Sequence, residues 1–374
     1  MTNEITIINQ DSGYLMIDIA NSYVNAGYRV NLIAGRLVLR NKSLHPEIRL
    51  NKIIKYRRNN TINRLFSWGI GTIQILILVW LRYRKSKLLI VSNPPMATLL
   101  PLFFKNNYSL LIYDVYPDAL YEMGVISAKS PIIRSWERAN KKVFKKAKGI
   151  ITITEGMKNA LSKYTRANSI EVIPIWTDNN YLKPLKKEEN SFIKDNGLEG
   201  KFIVLYSGNL GLAHDVEVII NLAMIIDNPV VKFVIIGDGE KKDKLARMIH
   251  ENNLKNCLLL PFQSPDVLPF SLAAADVAIV TLAKNASLLA VPSKTYNLMS
   301  VGAPIMCMAD KNSELANLVR KYEIGECYQS HQHKEMKHFI EKLIDNKQII
   351  EQYRNNSINA SKNYGLQNVN RFIN

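Results

Sequence analysis

Apolar runs of strand length alternate with longer stretches of helical period along nearly the whole chain. In the first half the strand-like runs are 5–9, 29–34, 88–92, 109–114, 149–154 and 171–173. Helical patterns lie between them at 14–26, 62–81, 131–146 and 156–163. The second half repeats the scheme, with strands read at 202–207, 232–236, 257–261, 276–281, 304–308 and 326–328. Its helices read at 216–226, 241–252, 268–275, 294–301, 314–322 and 335–345. Such alternation predicts βαβ units and parallel sheets, hence an α/β chain of two Rossmann-like domains. The stretch TDNNYLKPLKKEEN is polar and carries a proline, so it reads as the linker. The expected domains are 1–183 and 184–349, with a C-terminal helix over about 350–374 packing back onto the first.

Length and composition agree with two domains: 374 residues, 47% of them apolar, are enough for two cores. Cys257, Cys307 and Cys327 lie far apart in sequence and match no metal spacing, which points to a reduced compartment. The opening MTNEITIINQ has no basic region followed by an apolar run, so no cleaved signal peptide is expected. Charge separates the halves. Residues 1–190 carry 29 Lys and Arg against 13 Asp and Glu, which is +16 of the total +17. A basic half beside a near-neutral half points to an anionic partner for the first, although a generally basic solvated surface gives the same count. The candidates are a phosphorylated substrate, an anionic membrane surface and nucleic acid. Nucleic acid ranks last, because no array of aromatics and arginines is present.

The segment INRLFSWGIGTIQILILVWL (62–81) approaches the length of a membrane span, about 20 residues. Asn63, Arg64 and Gln74 interrupt it, and the βαβ order needs a helix here. A buried or half-buried domain helix is the first reading, and contact with a membrane surface the second. Lys55-Tyr56-Arg57-Arg58 before it and Arg82-Tyr83-Arg84-Lys85-Ser86-Lys87 after it suit anionic headgroups.

Three strand ends in the second half carry candidate chemistry. Leu205-Tyr206-Ser207-Gly208-Asn209-Leu210-Gly211 is a strand entering a glycine turn before a helix, a place that favours phosphate. Gly208 and Asn209 are candidate contacts there, and His214 adds a donor. Ile236-Gly237-Asp238-Gly239 places Gly237 and Gly239 just past the next strand. Val291-Pro292-Ser293-Lys294 reads as a helix start with Ser293 as N-cap. Lys294 opposes the dipole preference of a first turn, which makes sense where it meets an anion. Asn297 follows one turn later. Taken singly, the glycine turn reads first as an ordinary strand–turn–helix junction, Gly-Asp-Gly alone carries little, and an exposed lysine is the alternative for Lys294. In the first half, Asp11-Ser12-Gly13 follow the first strand, and Asp114 and Asp118 follow the fourth of the six strands above. Either of the last two is a candidate to orient or deprotonate a hydroxyl, with a turn or cap role as the alternative.

Taken together, 202–309 resemble the donor lobe of retaining glycosyltransferases of family 4, in the order strand–SGN–helix, IGDGE, PSKTYNLMSVGAPI. The match is to the bacterial O-antigen and capsule subgroup that includes the aminofucosyltransferases. Ser92-Asn93-Pro94-Pro95, Tyr113 to Asp118 and Thr154-Glu155-Gly156-Met157 resemble that subgroup's first-lobe motifs. The resemblance implies the GT-B fold, two Rossmann-like domains facing across a cleft. It implies a UDP-sugar donor, with an N-acetylated or deoxy amino sugar, transferred with retention and without a metal or other cofactor. The acceptor is read from charge: a basic first half with an apolar, Arg-flanked helix suits a polyprenyl-diphosphate-linked sugar and a cytoplasmic enzyme held peripherally at the inner face of the membrane. Two features depart from the family. The paired glutamates of its Glu-x7-Glu element correspond to Leu289 and Asn297, and its Arg and Lys after the first donor-lobe strand are replaced by Asn209 and His214. A nucleotide-sugar epimerase of the same architecture and a non-catalytic membrane-associated subunit are the competing readings. A dinucleotide-dependent oxidoreductase is disfavoured, since no G-x-G-x-x-G opens either domain.

Overall fold

The computed structural model describes residues 3–373 apart from 40, 58–60, 123, 125, 212–213, 283–288 and 290. Arg58, in the basic stretch before the apolar segment, lies outside the described residues. The chain divides into two compact units, Met1–Ile175 with Gln367–Asn374, and Trp176–Leu366.

The first unit contains β1 (Glu4–Ile8), β2 (Asp11–Ser12), α1 (Tyr14–Asn25), β3 (Arg29–Ala34), β4 (Arg36–Leu37), β5 (Arg49–Lys52), α2 (Thr61–Arg82), β6 (Lys87–Val91) and β7 (Tyr108–Ile112). It continues with α3 (Asp118–Glu122), α4 (Pro131–Lys146), β8 (Gly149–Thr152), α5 (Glu155–Leu161) and β9 (Ile170–Val172). The seven-stranded sheet runs β5-β3-β1-β6-β7-β8-β9, and all its pairs are parallel. Strand β1 lies centrally, with Ile7 paired between Leu32 and Leu89. Both faces of such a strand are covered, which is why EITII is nearly continuous in apolar residues. The edge strand β5, RLNK, was not legible as a strand: edges tolerate charge, and it carries no apolar run.

Helix α2 settles how the long apolar segment sits on its own unit. Trp68, Ile75, Val79 and the following Tyr83 are buried. Phe66, Ile73, Ile77, Trp80 and Leu81 remain exposed, Ile73 by 59%. The helix is long and apolar enough to cross a membrane, yet polar bonds tie it to the sheet. Gln10 Nε2 donates to the Ser67 carbonyl at 2.8 Å, and Gln74 Oε1 accepts from the Ile54 amide at 2.8 Å. The interrupting Gln74 thus has a structural use. The half-buried reading holds, with large apolar side chains left outside.

The second unit contains α6 (Ser191–Asp195), β10 (Phe202–Ser207), α7 (Glu217–Ile225), β11 (Val231–Ile236), α8 (Lys242–Glu251), β12 (Cys257–Leu260) and α9 (Leu268–Ala273). It continues with β13 (Val277–Thr281), α10 (Ser293–Ser300), β14 (Ile305–Met308), α11 (Glu314–Tyr322), β15 (Gly325–Tyr328), α12 (His333–Asp345) and α13 (Lys347–Ser361). Its sheet runs β12-β11-β10-β13-β14-β15, again parallel. Tyr206, Phe233, Ile279, Met306 and Phe339 share its main core cluster. Cys307 and Cys327 stand directly opposite in the β14–β15 register and form a disulfide, contrary to the reduced cysteines expected from their separation in sequence.

Two expected boundaries fall elsewhere. The polar stretch 178–190 belongs wholly to the second unit, because Lys187 pairs with Asp276 and Asn190 Nδ2 donates to the Phe270 carbonyl at 2.9 Å. The helix expected over 350–374 is two elements. Helix α13 stays with the second unit, where Ser357 Oγ donates to the Ala303 carbonyl at 3.1 Å. Only the segment with α14 (Gln367–Asn370) joins the first unit, where Tyr23 O–H donates to the Phe372 carbonyl at 2.5 Å. The two faces of α2 make a direct prediction. Ile75→Ala is expected to lower unfolding free energy by about 2–5 kcal/mol. Ile73→Ala, two residues along on the outer face, is expected to stay within about 0.5 kcal/mol in the same urea titration.

Candidate functional site in the second unit

Strand order alone points to one place. From β10 the chain proceeds to β11 and β12 on one side, then returns to β13, β14 and β15 on the other. The loops leaving β10 and β13 therefore diverge, and a crevice opens at the C-terminal ends of these two strands. Gly208 follows β10, and Thr281 ends β13.

The turn after β10 is held by the turn after β11. The Gly208 amide donates to the Ile236 carbonyl at 2.9 Å, and the Leu210 amide to the Asp238 carbonyl at 2.8 Å. This interlock explains both glycines of Gly237-Asp238-Gly239. A Cβ at Gly237 would lie 2.0 Å from the Gly208 carbonyl oxygen. At Gly239, φ is +148° and a Cβ would lie 2.6 Å from the Leu210 carbonyl carbon. Their role in this geometry is backbone approach, which shapes the Gly208–Asn209 turn.

Lys294 closes the other side of that turn. Its Nζ lies 4.0 Å from the centroid of the Tyr206 ring, and a Cβ on Gly208 would stand 3.1 Å from it. Crowding by protein atoms pushes the ammonium pKa down to about 7. The aromatic face supplies only part of the stabilisation that water would give. Tyr206 also donates its hydroxyl to the Asn209 carbonyl at 2.8 Å, so one buried ring supports both the cation and the turn.

His214 lies across the switch point, with Nδ1 3.0 Å from Thr281 Oγ1. Burial, then Lys294, then Lys241 hold its pKa below the usual imidazole value. Lys241 donates to the His214 carbonyl at 2.6 Å and to Glu217 Oε2 at 2.8 Å. The result is a group of basic side chains, partly stripped of water, beside a backbone turn, which would gain protons and charge on meeting a polyanion such as a diphosphate. Sequence reasoning missed Tyr206, Thr281 and Lys241. Tyr206 alone carried a signal, as a large polar aromatic inside a strand run one residue before Ser-Gly-Asn.

Ser293 and Asn297 are placed otherwise than expected. Ser293 is the first helical residue of α10, and the capping position is held by Pro292, which offers no side-chain acceptor. Asn297 is buried, and its Oδ1 accepts from Thr177 Oγ1 at 2.8 Å, which fastens α10 to the segment entering the unit.

The first-unit candidates separate in the same way. Asp11 binds Arg36 through both oxygens, at 2.6 and 3.1 Å. Ser12 is buried and donates to the Asn9 carbonyl at 2.9 Å, and the Gly13 carbonyl accepts from Met16 to begin α1. Asp118 accepts from Lys163 Nζ at 2.7 Å and from the Tyr164 hydroxyl at 3.3 Å. Asp114 differs. Its amide donates to Ser92 Oγ at 3.2 Å, and its side chain keeps a solvent-accessible surface. Protein atoms nevertheless crowd it and push its carboxyl above the usual carboxylate range. A separate cavity of about 670 Å³, beside Phe202, Val230 and Asp276, opens at the opposite ends of the second unit's strands, away from the switch point.

Known proteins resemble this chain in sequence and in fold. Residues 188–363 match the family described as glycosyl transferases group 1. WbjE of Pseudomonas aeruginosa, a probable glycosyltransferase, is 29% identical over 72% of this chain and 70% of its own. Over its second half the chain is thus similar to the group 1 glycosyltransferases. WcaI of Escherichia coli K12, named for colanic acid biosynthesis, is 30% identical over 46% of this chain and 43% of its own. Among solved structures, Anabaena HepE superposes with a TM-score of 0.73 over 99% of this chain and 98% of its own, at 16% identity. It has been solved with UDP and with UDP-glucose. The fold shared with it is that of the GT-B glycosyltransferases.

The buried ammonium makes a pH prediction. Lys294 titrates near 7 when folded and near the free-lysine value when unfolded. The unfolded chain therefore binds the extra proton between these values, and stability gains with rising pH. Lys294→Met is expected to melt higher than wild type at pH 6–7, with the difference shrinking steadily toward pH 10 by differential scanning fluorimetry. A constant difference across that range would mean that Lys294 is ordinarily solvated.

Proposed function

We propose that this glycosyltransferase moves a sugar, N-acetylated or deoxy-amino in type, from a UDP-sugar to a polyprenyl-diphosphate-linked acceptor. The process served is assembly of a bacterial surface polysaccharide, O-antigen or capsule. The observation that carries the donor half is the Lys294 ammonium over Tyr206 and against Gly208, at the switch point of the second unit. Departure of the nucleotide leaves negative charge on a diphosphate. A charge already stripped of water stabilises that growing charge more than a hydrated one does. The relatives named above support the reading: WcaI through colanic acid biosynthesis, HepE through its complexes with UDP and UDP-glucose.

The acceptor half rests on charge and on α2. The first half of the chain carries nearly all of the net positive charge. The exposed Phe66, Ile73, Ile77 and Trp80 lie on one helix that ends in Arg82 and is followed by Arg84, Lys85 and Lys87. An apolar helix face with basic flanks suits an anionic bilayer surface, which supports a peripheral position at the inner face of the membrane. Asp114 is the favoured group to receive the acceptor's proton, since Asp118 is committed to Lys163. Transfer proceeds with retention at the anomeric carbon.

A screen of UDP- and GDP-sugars, with and without a polyprenyl-linked acceptor, tests the proposal. Label that becomes lipid-extractable supports transfer; epimerised free sugar supports an epimerase, and no nucleotide-sugar binding refutes the donor assignment. In calorimetry at pH 8, UDP binding is expected to take up about one proton, because the diphosphate raises the Lys294 pKa from near 7. Lys294→Met is expected to abolish that uptake and weaken binding. Asp114→Asn is expected to lower kcat about 100-fold or more with UDP affinity unchanged. Full activity in that variant would remove Asp114 from the mechanism.

A further inference from the structure

The first unit has a switch point of its own, between β1 and β6. Near the loops at that sheet edge lies a group of buried polar atoms that no described residue satisfies. Arg64 Nε and Trp136 Nε1 are buried donors without an acceptor. They flank one side chain, Tyr116. Trp136 stacks on Tyr116 at 6.5 Å between centroids, and the Arg64 charge acts on its hydroxyl. Asp114 acts on the same hydroxyl in the opposite sense. Arg64 also lies over the Trp68 ring at 5.2 Å, and Trp68 stacks against Tyr56 at 5.5 Å. The Arg64 Nε–H and the Trp136 indole N–H, both buried and without an acceptor among the described residues, are donors that an anion would satisfy. Guanidinium and aromatic rings together suit a phosphate group carried on an organic molecule.

Arg64 belongs to α2, the helix whose other side exposes Phe66, Ile73, Ile77 and Trp80. One helix thus offers a cation inward and an apolar surface outward. We propose that Arg64, with the Trp136 N–H, binds the phosphate group of an isoprenoid-linked substrate, while the outer face of α2 meets the lipid. This rests on the acceptor class given under Proposed function and assigns residues to it. Phosphate from a bilayer headgroup has the same chemistry, so the test must separate the two sources.

Farnesyl diphosphate serves as the soluble probe and phosphatidylglycerol vesicles as the headgroup probe. Titrations are run with the second unit's site saturated with UDP, and again in a Lys294→Met background, so that the probe reports on the first unit. Arg64→Ala is expected to weaken farnesyl diphosphate binding at least tenfold, with Arg64→Lys and Trp136→Phe losing less. Vesicle binding and thermal midpoint are expected to stay at wild-type values. Unchanged farnesyl diphosphate affinity in Arg64→Ala overturns the proposal. Equal losses for farnesyl diphosphate and vesicles overturn it too, by making Arg64 a headgroup contact. If Arg64→Ala is unstable, Arg64→Lys and Trp136→Phe decide: wild-type probe affinity in both is again refutation. Loss of UDP binding in the wild type would instead count against the donor reading and leave the Lys294→Met titration to judge Arg64.

Discussion

A parallel sheet whose chain begins in the middle must grow first to one side and then to the other. That constraint governs both units. In the second it forces the loops after β10 and β13 apart. In the first it does the same after β1 and β6. No side chain creates these openings; they follow from strand order and crossover geometry. Side chains only decide what each opening holds. The second unit supplies a cation beside a backbone turn, and the first supplies a crowded carboxyl, aromatic rings and unpaired donors.

Lys294 shows how such a site opposes stability. A charge with little water around it destabilises the folded chain, and its lowered pKa is the measure of that opposition. Tyr206 moderates it through its ring face and directs its hydroxyl to the Asn209 carbonyl. Gly237 and Gly239 then let the neighbouring turn press against the same loop. Binding energy for an anion is thus prepared in the unliganded protein by residues that need not touch the ligand.

Much of this was legible in the sequence, for a physical reason. Strands buried on both faces read as apolar runs, so Phe202–Ser207 and Arg29–Ala34 appear with their observed limits. Edge strand Arg49–Lys52 has no such signature and did not appear. Lys294 was legible because a cation in a first turn contradicts the helix dipole. Asn297 and Ser293 were read from spacing, but spacing does not tell which side of α10 is buried. Partners distant in sequence, such as Thr177 for Asn297 or Lys163 for Asp118, are set by tertiary packing and leave no local trace. The polar stretch 178–190 misled for the same reason, since its Lys187 finds Asp276 only in the folded unit.

The first unit is not one continuous piece of chain. Residues 367–373 complete it, with Arg371 paired to Glu171 at 2.8 Å and Phe372 receiving the Tyr23 hydroxyl. A ribosome therefore makes the whole second unit before it supplies the segment that the first still lacks. Until then α1 has no α14 to pack on, and the part of the protein made first is the part finished last.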